Sequence, residues 1–222
     1  MIFFDIDGTL FDQEKAEKLA TIRFFKDNLT DLQVNQKEFA TIREIYHNNF
    51  LKYLLKGVSA LERNRMLMKD LFGHHISNEI ADQKATDFVK LYKQNWIPFD
   101  DVIPCLEHLK SKHLNLGIIC NGNYDRQVDK LESLGVKDYF DVITISSQKY
   151  FAKPNKHIFL AACNEANIKP EQAYYIGDNL VYDAIASKNA GMDEVWVNRK
   201  KRTTYYDLNV IHSLNELANI IE

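Results

Sequence analysis

The chain has 222 residues, a formal net charge of −3 and a composition that is 45% hydrophobic and 27% charged, enough for one domain, or one domain with a sizeable insertion, around a real core. The faintly acidic balance offers no basic footprint for nucleic acid, and no apolar run reaches the roughly 18 residues of a membrane span. Three cysteines, Cys105, Cys120 and Cys163, stand at no metal-like spacing and read as free thiols in a reducing, cytoplasmic setting; no basic leader pattern opens the chain, so no signal peptide is expected.

The first element is an apolar strand, IFF at residues 2–4, followed at once by Asp5 and Asp7 in the stretch MIFFDIDGTLFD. Carboxylates two apart on a strand face the same side, and they repel unless something positive lies close by. From 13 to 96 only helical periodicity follows. Ile42, Ile45, Tyr46, Phe50, Tyr53 and Leu54 mark one apolar face, and Ala81, Ala85, Phe88, Val89, Tyr92 and Trp96 another. Gly57-Val58-Ser59, Phe72-Gly73 and Ile97-Pro98 punctuate these helices. Phe24, Phe25, Tyr46, Phe50, Tyr53 and Tyr92 read as bundle core before they read as a base-stacking surface, and His74-His75 as a surface pair.

Beyond residue 97, helices are expected over 101–112, 125–134, 156–166 and 181–190. They alternate with apolar runs over 116–119, 142–145, 173–176 and 195–197. The runs lack in/out alternation, as strands covered on both faces do. An apolar piece at 208–211 precedes a closing helix with Ser213 as its N-cap. The pattern predicts an α/β fold: a doubly wound, Rossmann-like parallel sheet made of residues 1–12 and 97–222, with a helical cap of residues 13–96 inserted after the first strand. Such an insert would sit as a lid on the acidic strand end.

Ligands of doubly wound sheets bind beyond the carboxyl ends of the strands. There the sequence offers Asp5, Asp7, Gly8 and Thr9, then Cys120, Asn121 and Gly122, then Lys153, then Gly177, Asp178 and Asp183. Clustered carboxylates without His or Cys ligands suit a hard cation such as Mg2+. One carboxylate could attack phosphorus, a second could move protons, and a lysine with glycine-rich backbone could bind phosphoryl oxygens. Asp183 also has a plainer reading as a helix cap, and Arg199-Lys200-Lys201-Arg202 reads as a solvated loop.

DIDGT at 5–9, ICNG at 119–122, AKPNKHIF at 152–159 and GDNLVYD at 177–183 resemble the four motifs of the haloacid dehalogenase (HAD) superfamily, and the insert resembles that family's C1 cap. NAGM at 189–192 followed by VWVN resembles its phosphatase branch, and NGNYDRQ, KDYFD and AKPNKHIF are similar to pyrimidine 5'-nucleotidases. The resemblance implies Asp5 as nucleophile and Mg2+ ligand, and Asp7 as general acid/base with its carbonyl on the metal. It further implies Asp178 and Asp183 on the metal, and Lys153 as the group that neutralises phosphoryl charge and holds Asp5. Gly8, Thr9, Cys120 and Asn121 would bind substrate. Cys120 departs from the pattern, since Ser or Thr normally stands there. A thiol is a weak donor, so weakened activity is expected, with the Asn121 side chain as a partial substitute.

The resulting expectation is a Mg2+-dependent phosphatase of small phosphorylated metabolites, a nucleoside 5'-monophosphate first and a sugar phosphate or phosphoglucomutase-like transfer second. Neither nucleic acid nor membrane is expected as a partner, and the oligomeric state is left open. A catalytically weakened binding protein is the rival from another class. A Cys120 thiolate chemistry is a minor one, and dehalogenation, which fits Asp7 poorly, ranks last.

Overall fold

The computed structural model describes residues 1–28 and 58–221, together with 30, 44, 46, 48, 49, 52 and 53. Ile42, Ile45, Phe50, Leu54 and Gly57 lie outside the described residues. The chain divides into two compact units, Met1–Gln13 with Trp96–Glu222, and Glu14–Asn95. Among the described residues no helix is long and apolar enough to cross a membrane.

The first unit is built on a six-stranded sheet in the order β3-β2-β1-β4-β5-β6, every pairing parallel. The strands are β1 (Ile2–Phe4), β2 (Leu116–Cys120), β3 (Val142–Ile145), β4 (Tyr174–Gly177), β5 (Asp193–Val197) and β6 (Asn209–Ile211). The crossovers carry α4 (Val102–Ser111), α5 (Tyr124–Ser133), α6 (Lys156–Glu165) and the short α7 (Ala186–Asn189). β1 and β2 are buried along their whole length, which is why their sequences are continuous apolar runs. Phe3, Ile119, Ile158, Phe159, Tyr175 and Met192 share one core cluster, each large side chain adding about 1.5–3 kcal/mol of burial. Asn123 and Asn155 cap α5 and α6 by accepting from the N–H groups of Arg126 and His157.

The helix expected over 181–190 is two elements. Leu180–Ile185 is a π-turn that continues into α7. Ala184 N–H reaches back five residues to the Asn179 carbonyl, while the Asp183 side chain is drawn inward, a local widening that tends to occur at functional sites. The closing helix is a 3-10 turn, Leu214–Asn219, capped by Ser213. Arg199 is no solvated loop residue. Its guanidinium grips both carboxylate oxygens of buried Asp101 at 2.8 and 2.9 Å, lies 3.8 Å over the Phe99 ring and donates to the Thr9 carbonyl at 2.9 Å. Asp101 also accepts from the Ser213 hydroxyl and the Leu214 N–H.

In the second unit, α1 (Gln13–Asp27), α2 (Ala60–Phe72) and α3 (Asn78–Lys93) surround Phe24, Phe25, Tyr46, Tyr53, Leu67, Met68, Phe72, Ala81 and Ala85. The aromatics of this unit that are described in the cluster are therefore core, as their helical spacing predicts. Tyr53 and Asn49 both donate to Asp70, at 2.6 and 2.9 Å. His74 stands exposed at the end of α2.

Asp101→Ala should cost about 3 kcal/mol in denaturant unfolding, since it strands a largely buried guanidinium without its carboxylate. A loss under about 1 kcal/mol would mean that the clasp contributes little.

Candidate active site

Asp5 and Asp7 follow β1 but do not share a strand face. The strand stops at Phe4, and Asp7 already pairs in an isolated bridge with Phe11. Each carboxylate meets its own lysine. Asp5 Oδ1 accepts from Lys153 Nζ at 2.7 Å, and Asp7 Oδ1 accepts from Lys130 Nζ. The cation that the sequence calls for at this strand end is thus partly built from the chain itself.

Lys153 lies in the loop between β3 and α6 but is only 6% exposed. An ammonium has three donors, and all three are used: Asp5 Oδ1, Asp183 Oδ1 at 2.6 Å and the Tyr175 hydroxyl at 2.9 Å. Burial works against its charge, but Asp183 and Asp5 outweigh burial and hold its pKa well above the ordinary value. Its backbone is fixed as firmly. Asn121 donates from Nδ2 to the Lys153 carbonyl at 3.0 Å and accepts its N–H on Oδ1 at 2.8 Å. The Asn121 amide is therefore engaged at both ends with the Lys153 backbone.

Asp183 is 1% exposed. Its Oδ1 takes Lys153 and Tyr175, and its Oδ2 takes the Asn179 N–H at 2.9 Å. The capping of the following turn falls to Asn179, whose side chain accepts from Val181 and Tyr182. Two glycines make room for the carboxylates. A Cβ on Gly8, which sits at φ +82°, would stand 2.5 Å from Asp178 Oδ2, and one on Gly177 would stand 2.5 Å from the Asp183 carboxyl. Thr9 is fully buried, and among the described residues its hydroxyl has no hydrogen-bond partner.

Asp5, Asp178 and Asp183 offer ligand oxygens that all lie within 4.8 Å of one another. Burial, reinforced by Asp183 and Asp7 and opposed by Lys153, raises the Asp5 pKa to about 6. Burial, then Asp5 and Asp183, raise that of Asp178 to about 7. The chain's own lysines leave this cluster with more negative charge than it holds comfortably. An all-oxygen donor set with surplus charge fits a hard divalent cation.

Cys120 is buried at the end of β2 and touches protein on both sides: its thiol donates to the Asn121 carbonyl and receives Gln127 Nε2, each at 3.3 Å. Burial, Asp5 and Asp7 push its pKa well above that of a free thiol, so it is no thiolate nucleophile.

Four contributors escaped the sequence reading: Lys130, Gln127, Tyr175 and the Arg199–Asp101 pair. Gln127, Lys130, Leu131 and Leu134 follow the i, i+3, i+4, i+7 spacing of a buried helix face. Two polar side chains on that stripe were the available signal. Tyr175 looked like any aromatic strand residue, and Asp101 and Arg199 are 98 residues apart in sequence.

A parallel sheet with aspartates and a buried lysine gathered beyond its carboxyl edge defines an enzyme core of the hydrolase kind. The chain belongs to the haloacid dehalogenase-like hydrolase family, whose model matches residues 1–191. It is 30% identical to a glyceraldehyde 3-phosphate phosphatase of Methanothermobacter thermautotrophicus, over 99% of this chain and 98% of that protein. It is 25% identical to the pyrimidine 5'-nucleotidase YjjG of Escherichia coli, over 99% and 96%. The HAD-hydrolase YfnB of Bacillus subtilis, crystallised with magnesium, superposes with a TM-score of 0.77 at 22% identity, over 99% of this chain and 97% of that one.

The raised carboxyls predict a pH signature. Burial and the neighbouring carboxylates raise the Asp178 pKa to about 7, against about 3.9 for an ordinary aspartate, so the folded chain binds more protons between those values and loses stability as pH rises through them. In EDTA, Asp178→Asn should be about 1–4 kcal/mol more stable than wild type at pH 8, with the gap closing towards pH 4. A gap that does not change with pH would contradict the assignment.

Proposed function

We propose that the chain is a Mg2+-dependent phosphomonoesterase working through an aspartyl-phosphate on Asp5. The observation that carries the reading is the saturated Lys153 ammonium, which fixes Asp5 against Asp183 with Asp178 within ligand reach. Asp5, Asp178 and Asp183, with the Asp7 carbonyl, would hold the ion, which when bound screens these carboxylates and polarises the phosphoryl group.

In the first half-reaction the free carboxylate oxygen of Asp5 forms a bond to phosphorus as the ester P–O bond breaks. Asp7, in its acid form, gives its proton to the departing alkoxide. In the second half, Asp7 takes a proton from water as that water attacks phosphorus. The P–O bond to Asp5 then breaks, freeing inorganic phosphate and restoring the carboxylate. Lys153, its three donors engaged by protein, acts by holding Asp5 on target. The backbone at Gly8, Thr9 and Asn121 and the Cys120 side chain complete the substrate's surroundings.

The substrate is a small phosphorylated metabolite. The 30% identity to a glyceraldehyde 3-phosphate phosphatase supports a sugar phosphate; the likeness to a pyrimidine 5'-nucleotidase supports a nucleoside 5'-monophosphate. Phosphate release from both groups, with Mg2+ and with EDTA, separates them. Release should require Mg2+ and fall at least about a thousandfold in Asp5→Asn. Cys120→Thr should raise it about tenfold, by restoring a stronger donor. Turnover that survives in Asp5→Asn would overturn the mechanism, and silence of both wild type and Cys120→Thr would overturn the phosphatase reading in favour of a binding protein.

A further inference from the structure

We propose that Lys130 and Gln127, one turn apart on α5, are positioning residues that hold the Asp7 carboxylate for proton transfer. The inference rests on the phosphatase reading and adds to it the part of the chain that aims the acid/base.

Lys130 is 2% exposed, an unusual place for a lysine unless its charge is paired. The ammonium pairs with Asp7 Oδ1 and lies 4.8 Å from the centroid of the Phe11 ring and 5.4 Å from that of Trp96, so two aromatic faces replace the water it has lost. Gln127, 4% exposed, donates from Nε2 to Asp7 Oδ2 at 3.2 Å, to the Asn121 carbonyl at 2.9 Å and to Cys120 Sγ at 3.3 Å. Residues three apart on a helix share a face. One face of α5 therefore holds both oxygens of Asp7, while 26% of the Asp7 side chain stays accessible.

A purely structural ion pair would explain the burial but not this division of labour. Burying an ammonium costs several kcal/mol before pairing, and an apolar side chain of similar length serves packing as well or better. Between two aromatic rings a methionine would pack well. What a methionine cannot do is fix a carboxylate. A proton donor displaced by about 1 Å loses about 10²-fold in rate, and the loss falls on reactions that need the proton.

That dependence supplies the test. An alkyl phosphate such as glucose 6-phosphate needs a proton on its leaving alkoxide, whereas the p-nitrophenolate of p-nitrophenyl phosphate departs with little help. Lys130→Met, its fold checked by thermal melting, should lower kcat/KM, which reports the first half-reaction alone, about 30–300-fold for an alkyl phosphate. The fall in kcat/KM on p-nitrophenyl phosphate should be at least about tenfold smaller. Lys130→Gln and Gln127→Leu should show the same bias more weakly, and they carry the test if Lys130→Met does not fold. Equal losses on the two substrates, or no loss, would overturn the proposal and leave Lys130 a structural ion pair. A wild type silent, together with Cys120→Thr, on p-nitrophenyl phosphate and on every sugar phosphate and nucleotide tried would strike the phosphatase reading itself, a result distinct from either.

Discussion

The Lys153 ammonium is the contact on which this site depends. Its three donors reach the end of β1 through Asp5, the middle of β4 through Tyr175 and the π-turn through Asp183, while Asn121, after β2, clamps its backbone. One buried charge thus ties together the ends of adjacent strands at the point where the order of the sheet reverses. A buried ammonium survives only when its partners are well placed, so the geometry that stabilises Lys153 is the same geometry that fixes Asp5.

The rest of the site follows from an imbalance of charge. Four carboxylates gather on one edge, and Lys153 and Lys130 each answer only part of that charge. The raised pKa values of Asp5, about 6, and Asp178, about 7, express the shortfall, and a divalent cation is the natural remedy. Gly8 and Gly177 belong to the same arrangement, because any side chain at either would occupy the space of a carboxylate. Crowding, repulsion and the missing side chains are one design seen from three directions.

How much of this could be read in the sequence divides along a physical line. The sheet and its helices were legible because apolar runs and helical spacing are local signals, and the rim was legible because chemistry-bearing residues follow strands β1, β2 and β4 in short motifs. What resisted reading was the direction of side chains. The two-residue spacing of Asp5 and Asp7 predicts a shared strand face, but the strand ends before both. The Asn121 side-chain amide spans the Lys153 backbone, a contact that no local pattern announces. The basic run at Arg199 predicts a solvated loop, but its partner Asp101 waits across the fold. Lys130 and Gln127 differ, for their positions on a buried helix stripe marked them as exceptions that called for a partner. The π-turn after β4 comes with an Asp183 side chain drawn inward to Lys153 and Tyr175, and nothing in the local propensity of LVYDAI announces that.

The central claim is that Asp5 carries the phosphoryl group, and trapping that bond tests it most directly. The protein would be acid-quenched during turnover of p-nitrophenyl phosphate with Mg2+, treated with borohydride and mapped by peptide mass spectrometry. An acyl phosphate at Asp5 is reduced to homoserine at position 5, which is the result expected here. Continued phosphate release without modification at Asp5, or with modification at another carboxylate, would contradict the account.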